Sequence, residues 1–438
     1  MQAVPLERRA RLARQVRTAM AMVPKLSRGC GRLGNPQAAL SVFLLTAGVL
    51  PAQDLMPAAG PGGIVRLFTS DAAILEAQEA RKDLPCTVTP NKPSLGFDLK
   101  FHSGYDVSVP LKDLAGSENQ LTMVFRVTPE THPDEGVYFS QHVAVPAIEE
   151  DEKGPAYLQG EFEVGEGKYH VDWLMRDRAE RVCSFHWDAE ASLPPRDKVM
   201  SLDIQANAVQ PIDAEPFKQE PPVAREVSEH ALNVKVMVNF APQDSLSATL
   251  QPLDTNALIS ILRNIAREPR IAKFSIVAYN MQEQRIIYRE ESASQINFPA
   301  LGKALKSLNL GTVDLKRLTQ KHGDTDFLAN LITSEVKNSQ EPDAIIFAGP
   351  KVMLDNGLSP ETLKALGDVK SPVFYMNYNL NPQVNPWRDA IGNCVRYLKG
   401  VEFTITRPRD LFFAWTDIMG RIVKLRFGKA GSGNALAQ

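Results

Sequence analysis

Nucleophilic hydrolysis needs a serine or cysteine, a base beside it and a group that orients the base. The seven histidines are His102, His132, His142, His170, His186, His230 and His322, and they are scattered along the chain. His322, beside Asp324, falls where Gly323-Asp324 reads as an ordinary helix entry, so it serves a loop better than a catalytic base. His170 and His186 fall on adjacent predicted strands near Trp173 and Trp187, at a sheet surface or rim. There is no Gly-x-Ser-x-Gly elbow, and no His-x-His, His-Glu-x-x-His or Cys-x-x-Cys to anchor zinc. The Gly-x-Gly at Gly165–Gly167 enters a predicted strand rather than a helix, which is wrong for a phosphate loop. These residues imply no catalytic site, no metal and no cofactor.

The cysteines point to structure instead. Ala38–Leu50 is an uncharged apolar run preceded by Lys25, Arg28 and Arg32 and followed by Pro51-Ala52, the pattern of an export signal over residues 1–52. The run is too short to span a bilayer comfortably, and no second long apolar segment follows, so the mature chain has no transmembrane anchor. Its expected start is near Gln53. The long basic lead, Arg8 to Arg17, suggests true initiation at Met20 or Met22. Cleavage leaves Cys86, Cys183 and Cys394. Cys86 and Cys183 open and close one predicted domain and are expected to form a bridge; Cys394 sits at an apolar helix position, where a buried free thiol is ordinary. A net charge of −2 excludes a general affinity for nucleic acid.

The elements that hold these residues fall into blocks. Residues 53–85 form a lead-in with a short helix. Residues 86–209 are short alternating runs broken by turn residues, which predict an antiparallel β-sandwich. Gly165 and Gly167 read there as a hairpin turn between Gly160–Val164 and Lys168–Met175, and that stretch resembles immunoglobulin-like modules of bacterial envelope proteins. Pro211, Pro216, Pro221 and Pro222 mark a linker over 210–229. Residues 230–427 alternate buried strands with helices, predicting a doubly wound parallel sheet. Residues 428–438 are a flexible tail.

Over Asn233–Leu425 the element order resembles a degenerate von Willebrand A domain of the kind exported by soil acidobacteria. That resemblance implies a metal-dependent adhesion site at the sheet's C-terminal edge. Its first element would fall on Asn239, Ala241 and Gln243, its second on Thr325 and its third on Ala348-Gly349-Pro350. A hard divalent cation needs carboxylates, and those positions supply almost none, so a lost metal site is expected. The binding surface is expected on the loop after the penultimate strand, through Asn377, Tyr378, Asn379, Trp387 and Arg388. Aromatic and Arg side chains suit protein recognition. The resulting expectation is a non-catalytic, exported binding or scaffolding protein with a protein partner in the envelope or outside the cell. The alternatives are a hydrolase whose site is invisible in one sequence and an envelope assembly factor.

Overall fold

The computed structural model describes residues 54–56, 67–213, 215–225, 231–244, 247–310, 322–336, 341–354, 357–367 and 369–427. All belong to one unit, Pro51–Gln438. The expected export signal, its cleavage point and the C-terminal tail lie outside the described residues.

Two antiparallel sheets come first. One has five strands in the order β1 (Asp54–Leu55), β5 (Val137–Val145), β4 (Asn119–Pro129), β7 (Gly167–Arg176) and β8 (Val182–Ala191). The other has four: β2 (Thr87–Leu95), β3 (Phe101–Pro110), β6 (Pro155–Val164) and β9 (Val209–Gln210). Alternate residues of each sheet face one shared core, as the period of a strand requires. Tyr105 and Phe162 from the second sheet meet Phe125, Phe139 and Trp173 from the first, and the Tyr105 ring lies edge-on to Trp173 at 5.3 Å. Helix α1 (Thr69–Ala77) covers the outer face of the five-stranded sheet, where Leu75 meets Val124 and Leu174. A single turn, α2 (Leu111–Leu114), follows β3.

The expected hairpin at Gly165–Gly167 is corrected. β6 pairs with β3 and β9, whereas β7 pairs with β4 and β8, so this segment carries the chain from one sheet to the other. The glycines serve close approach: a Cβ on Gly165 would lie 1.9 Å from the Gln205 carbonyl oxygen. Because backbone cannot retreat as a flexible side chain does, Gly165→Ala is expected to destabilise by about 1–3 kcal/mol. A shift in urea midpoint at constant slope would measure it.

Cys86, leading into β2, is joined to Cys183 on β8 with Cα atoms 6.3 Å apart. The disulfide therefore staples the two sheets together. Cys394 is buried and free, and burial pushes its thiol up to about 12.

The third sheet has the order β12 (Arg285–Ala293), β11 (Ile271–Asn280), β10 (Leu232–Asn239), β13 (Ala344–Pro350), β14 (Val373–Tyr378) and β15 (Val401–Ile405). All neighbours are parallel except β12, which returns antiparallel along β11. Its inner strands β10, β11, β13 and β14 are mostly apolar and buried because helices cover both faces, while the edge strand β12 carries charged residues. On one side α3 (Pro252–Ala266), α4 (Phe298–Leu305) and α8 (Pro408–Phe427) share a core with Val236, Ile276 and Ile346. On the other, α5 (Gly323–Val336), α6 (Pro360–Leu366) and α7 (Ala390–Tyr397) pack on Met237, Phe347 and Tyr375. Lys235 of β10 is buried on this second face, its ammonium 2.8 Å from Glu335 of α5, which also pairs with Arg289 of β12.

The described part of the expected linker is no free spacer. Phe217 lies over Gly302, where a Cβ would come within 2.5 Å of the ring. Glu220 pairs with Arg263 at 2.9 Å and Arg267 at 2.7 Å, and Arg225 donates to the carbonyls of Ala266 and Glu268 at the end of α3. The segment is a strap across α3 and α4. Phe97, in the turn between β2 and β3, joins the core of the third sheet and meets the Tyr378 ring edge-on at 5.9 Å.

Candidate functional site

Open parallel sheets bind at the C-terminal ends of their strands, and here those ends gather the residues singled out in the sequence. β14 runs on to Tyr378, pairing Asn377 with Gly349 and Thr404, and Tyr378 with Pro350 and Ile405. Asn377 and Tyr378 are therefore fully buried and Asn379 nearly so, which corrects their expected place on a partner surface. A strand inside a sheet covered on both faces has no solvent side. The Asn377 amide donates to Glu402 at 3.0 Å, and the Asn379 backbone N–H donates to Ile405 O at 3.0 Å. The Tyr378 hydroxyl lies beside the Asp254 carboxyl, and burial holds that acid above its usual range.

Trp387 and Arg388 are at the surface. Trp387 is 71% exposed, Val384 earlier in the same loop is 84% exposed, and Met353 just after β13 is 51% exposed. The loop that carries Trp387 is held from beneath. The Lys351 ammonium donates to the carbonyls of Asn385 at 2.6 Å and Trp387 at 2.7 Å. Arg388 pairs with Glu402 at 3.1 Å, so one carboxylate ties the loop to Asn377 as well. Asp389 is the buried anchor: it accepts from the backbone N–H of Val352 at 2.7 Å, from Gly392 N at the start of α7 and from the Tyr375 hydroxyl at 3.0 Å. Burial raises the Asp389 pKa and pushes the Tyr375 hydroxyl well above the usual phenol range. An indole is thus presented to solvent on a braced loop. Trp387→Ala should change stability by no more than about 0.5 kcal/mol, as for an exposed site, while removing most acrylamide-quenchable tryptophan emission. The other three tryptophans, Trp173, Trp187 and Trp415, are at least partly buried.

The positions that the resemblance assigns to an adhesion site also lie at this edge. Asn239 is buried and accepts from Met281 N at 3.2 Å, and a Cβ on Gly349 would come within 2.8 Å of the Asn239 Cβ. Thr325 stands in the first turn of α5, beside Asp324, which receives the Gln284 amide. Asn280 closes the same edge by donating to Phe240 O at 2.6 Å.

On the outer face of the five-stranded sheet His170 and His186 have ring centroids 6.2 Å apart. His170 places Nδ1 2.7 Å from Asp188 and Nε2 3.2 Å from Asp172, which also pairs with Arg126 at 2.7 Å. Arg126 and Asp172 make this an ion-pair surface, and the Ser184 hydroxyl nearby donates to Glu79 O at 2.8 Å.

No family model and no curated relative matches the chain. Solved structures match only faintly. The structural-genomics target SoR45 is 9% identical with a TM-score of 0.17, covering 30% of this chain and 99% of its own. The Pseudomonas fluorescens alkylpurine DNA glycosylase AlkC is 12% identical with a TM-score of 0.16, covering 27% of this chain and 32% of its own. A Bacteroides uniformis β-glucuronidase is 10% identical with a TM-score of 0.16, covering 72% of this chain and 38% of its own. This chain thus spans about a third of the glycosylase and of the glucuronidase. None of these neighbours points to a von Willebrand A domain.

Proposed function

We propose that the protein is a non-catalytic, exported binding or scaffolding protein of the cell envelope, holding a protein partner at the C-terminal edge of a degenerate von Willebrand A-like domain. The observation that carries this reading is the exposed Trp387 on its braced loop. A preordered aromatic side chain loses little entropy on docking, and such residues dominate binding energy at protein interfaces. The sheet order supports the resemblance by bringing Asn239, Thr325 and Gly349 to one edge. The side chains there favour a site without a metal ion, since the carboxylates that offset cation dehydration are missing from Asn239 and Gly349.

A photo-crosslinking side chain placed at Trp387 in native envelope tests this. Capture of one defined partner from position 387, with none from Lys424 on the opposite edge, is the expected result. Equal capture from both positions, or reproducible labelling of the folded protein by serine or cysteine hydrolase probes, overturns it. N-terminal sequencing of native material tests export separately, with a start near Gln53 expected.

A further inference from the structure

We propose that Asp98, His102 and Glu163 form a binding site for a borderline divalent cation, Zn²⁺ by chemistry, on the outer face of the four-stranded sheet. His102 is the second residue of β3 and Glu163 is its direct cross-strand partner on β6. Phe101 and Phe162, their neighbours, face the core, so His102 and Glu163 share the other face. Asp98 comes from the turn between β2 and β3. One donor atom from each of the three lies within 4.8 Å of the other two, and both Asp98 oxygens are 3.0 Å from His102 Nε2. Tetrahedral zinc with bonds of about 2.0–2.1 Å places its donors roughly 3.3 Å apart. Closing on an ion therefore needs side-chain adjustments of no more than about 1.5 Å.

Electrostatics also asks for a cation here. Glu163 points away from the core, yet its side chain is only 3% exposed, and its charge stands next to that of Asp98. The buried Glu163 charge requires compensation, whereas Asp98 is 22% exposed and faces His102. Lys100 supplies it at present, its ammonium 2.5 Å from Glu163. Lys100 belongs to the same short turn, its side chain is 20% exposed and it lines a cleft of about 230 Å³, so its flexible stem can turn its ammonium to water when an ion takes its place. Gly96 completes the site: a Cβ there would lie 2.5 Å from Asp98 Oδ1 and 2.6 Å from the His102 ring. A larger residue there would have to push the carboxylate and the imidazole aside. One imidazole nitrogen with two carboxylates suits zinc, whereas Ca²⁺ and Mg²⁺ prefer oxygen ligands alone. Three protein ligands leave a fourth position for water.

The test uses tag-free, chelator-stripped full-length protein, titrated with Zn²⁺ by calorimetry and with Co²⁺ by visible absorption. One ion per chain with tetrahedral cobalt bands is expected. His102→Ala and Glu163→Gln should each weaken binding at least ~10-fold, as loss of even an outer-shell partner does. Lys100→Gln, which removes the competing ammonium, should tighten it severalfold. Circular dichroism establishes that each variant is folded. Equal Zn²⁺ affinity in wild type, His102→Ala and Glu163→Gln, or no saturable Zn²⁺ binding at all, overturns the site. Binding of Mg²⁺ or Ca²⁺ as tight as that of Zn²⁺ overturns the assigned class of ion.

Discussion

Glu335→Ala is expected to cost about 3–5 kcal/mol of folding stability, because it leaves the Lys235 ammonium buried without its counter-charge. The side chains of Lys235 and Glu335 are 7% and 1% exposed. Water therefore cannot replace the lost carboxylate without opening the contact between β10 and α5. The Glu335 main-chain carbonyl, 3.0 Å from the ammonium, would remain and offset only part of the loss. Arg289 is less affected, since its side chain is 41% exposed and Glu291 stands 3.9 Å away as a second partner. The double variant Lys235→Met/Glu335→Leu removes both buried charges and keeps the volume, so it should recover most of the stability. Urea midpoints for wild type, Lys235→Met, Glu335→Leu and the double variant form the required cycle. A loss below about 1 kcal/mol for Glu335→Ala, or a double variant no better than the single ones, would show that the pair is solvated and incidental.

The second large effect belongs to the disulfide. Cys86 and Cys183 are separated by 97 positions, and the chain-entropy model gives roughly 3–5 kcal/mol for closing a loop of that length. Cys86→Ala/Cys183→Ala should lose about that much, and wild-type protein should move toward the variant when reductant is added. The variant itself should not respond to reductant, because Cys394 is buried and unpaired. Wild-type protein that unfolds at the same denaturant concentration with and without reductant would contradict this. The bridge joins one sheet to the other, so its loss should also loosen the packing of Tyr105 against Trp173, visible in near-ultraviolet circular dichroism.

Much of this architecture was legible in the residues. Ala344–Pro350 is apolar throughout, and Val234–Val238 is broken only by Lys235; a sheet covered on both faces calls for strands of that kind. The alternation in Gly160–Val164 and Lys168–Met175 was equally clear, yet the expected hairpin does not exist. Alternation reports which face of a strand is buried and says nothing about which strand lies beside it. Asn377 and Asn379 look like loop residues by composition. They are interior because the neighbouring strands extend as far as Tyr378, and strand ends are the least legible feature of a sequence. The strap shows a similar limit: four prolines read as a spacer, while its attachment rests on the single residues Phe217, Glu220 and Arg225. His102 and Glu163 carry no motif spacing at all. Only the antiparallel register of β3 and β6 sets them side by side.

The Phe97 contact bears on the order in which this protein can be finished. Tyr378 lies about 280 residues downstream of Phe97, and chains emerge at about 5–20 residues per second. For something between a quarter of a minute and a minute, the turn that carries Phe97 can be complete while the Tyr378 ring that it finally meets has not been made. The first-made region thus holds an aromatic side chain whose packing is completed only by one of the last-made strands. A nascent chain is most exposed to misassociation during that interval, and any factor that shields Phe97 then would speed maturation without touching the finished protein.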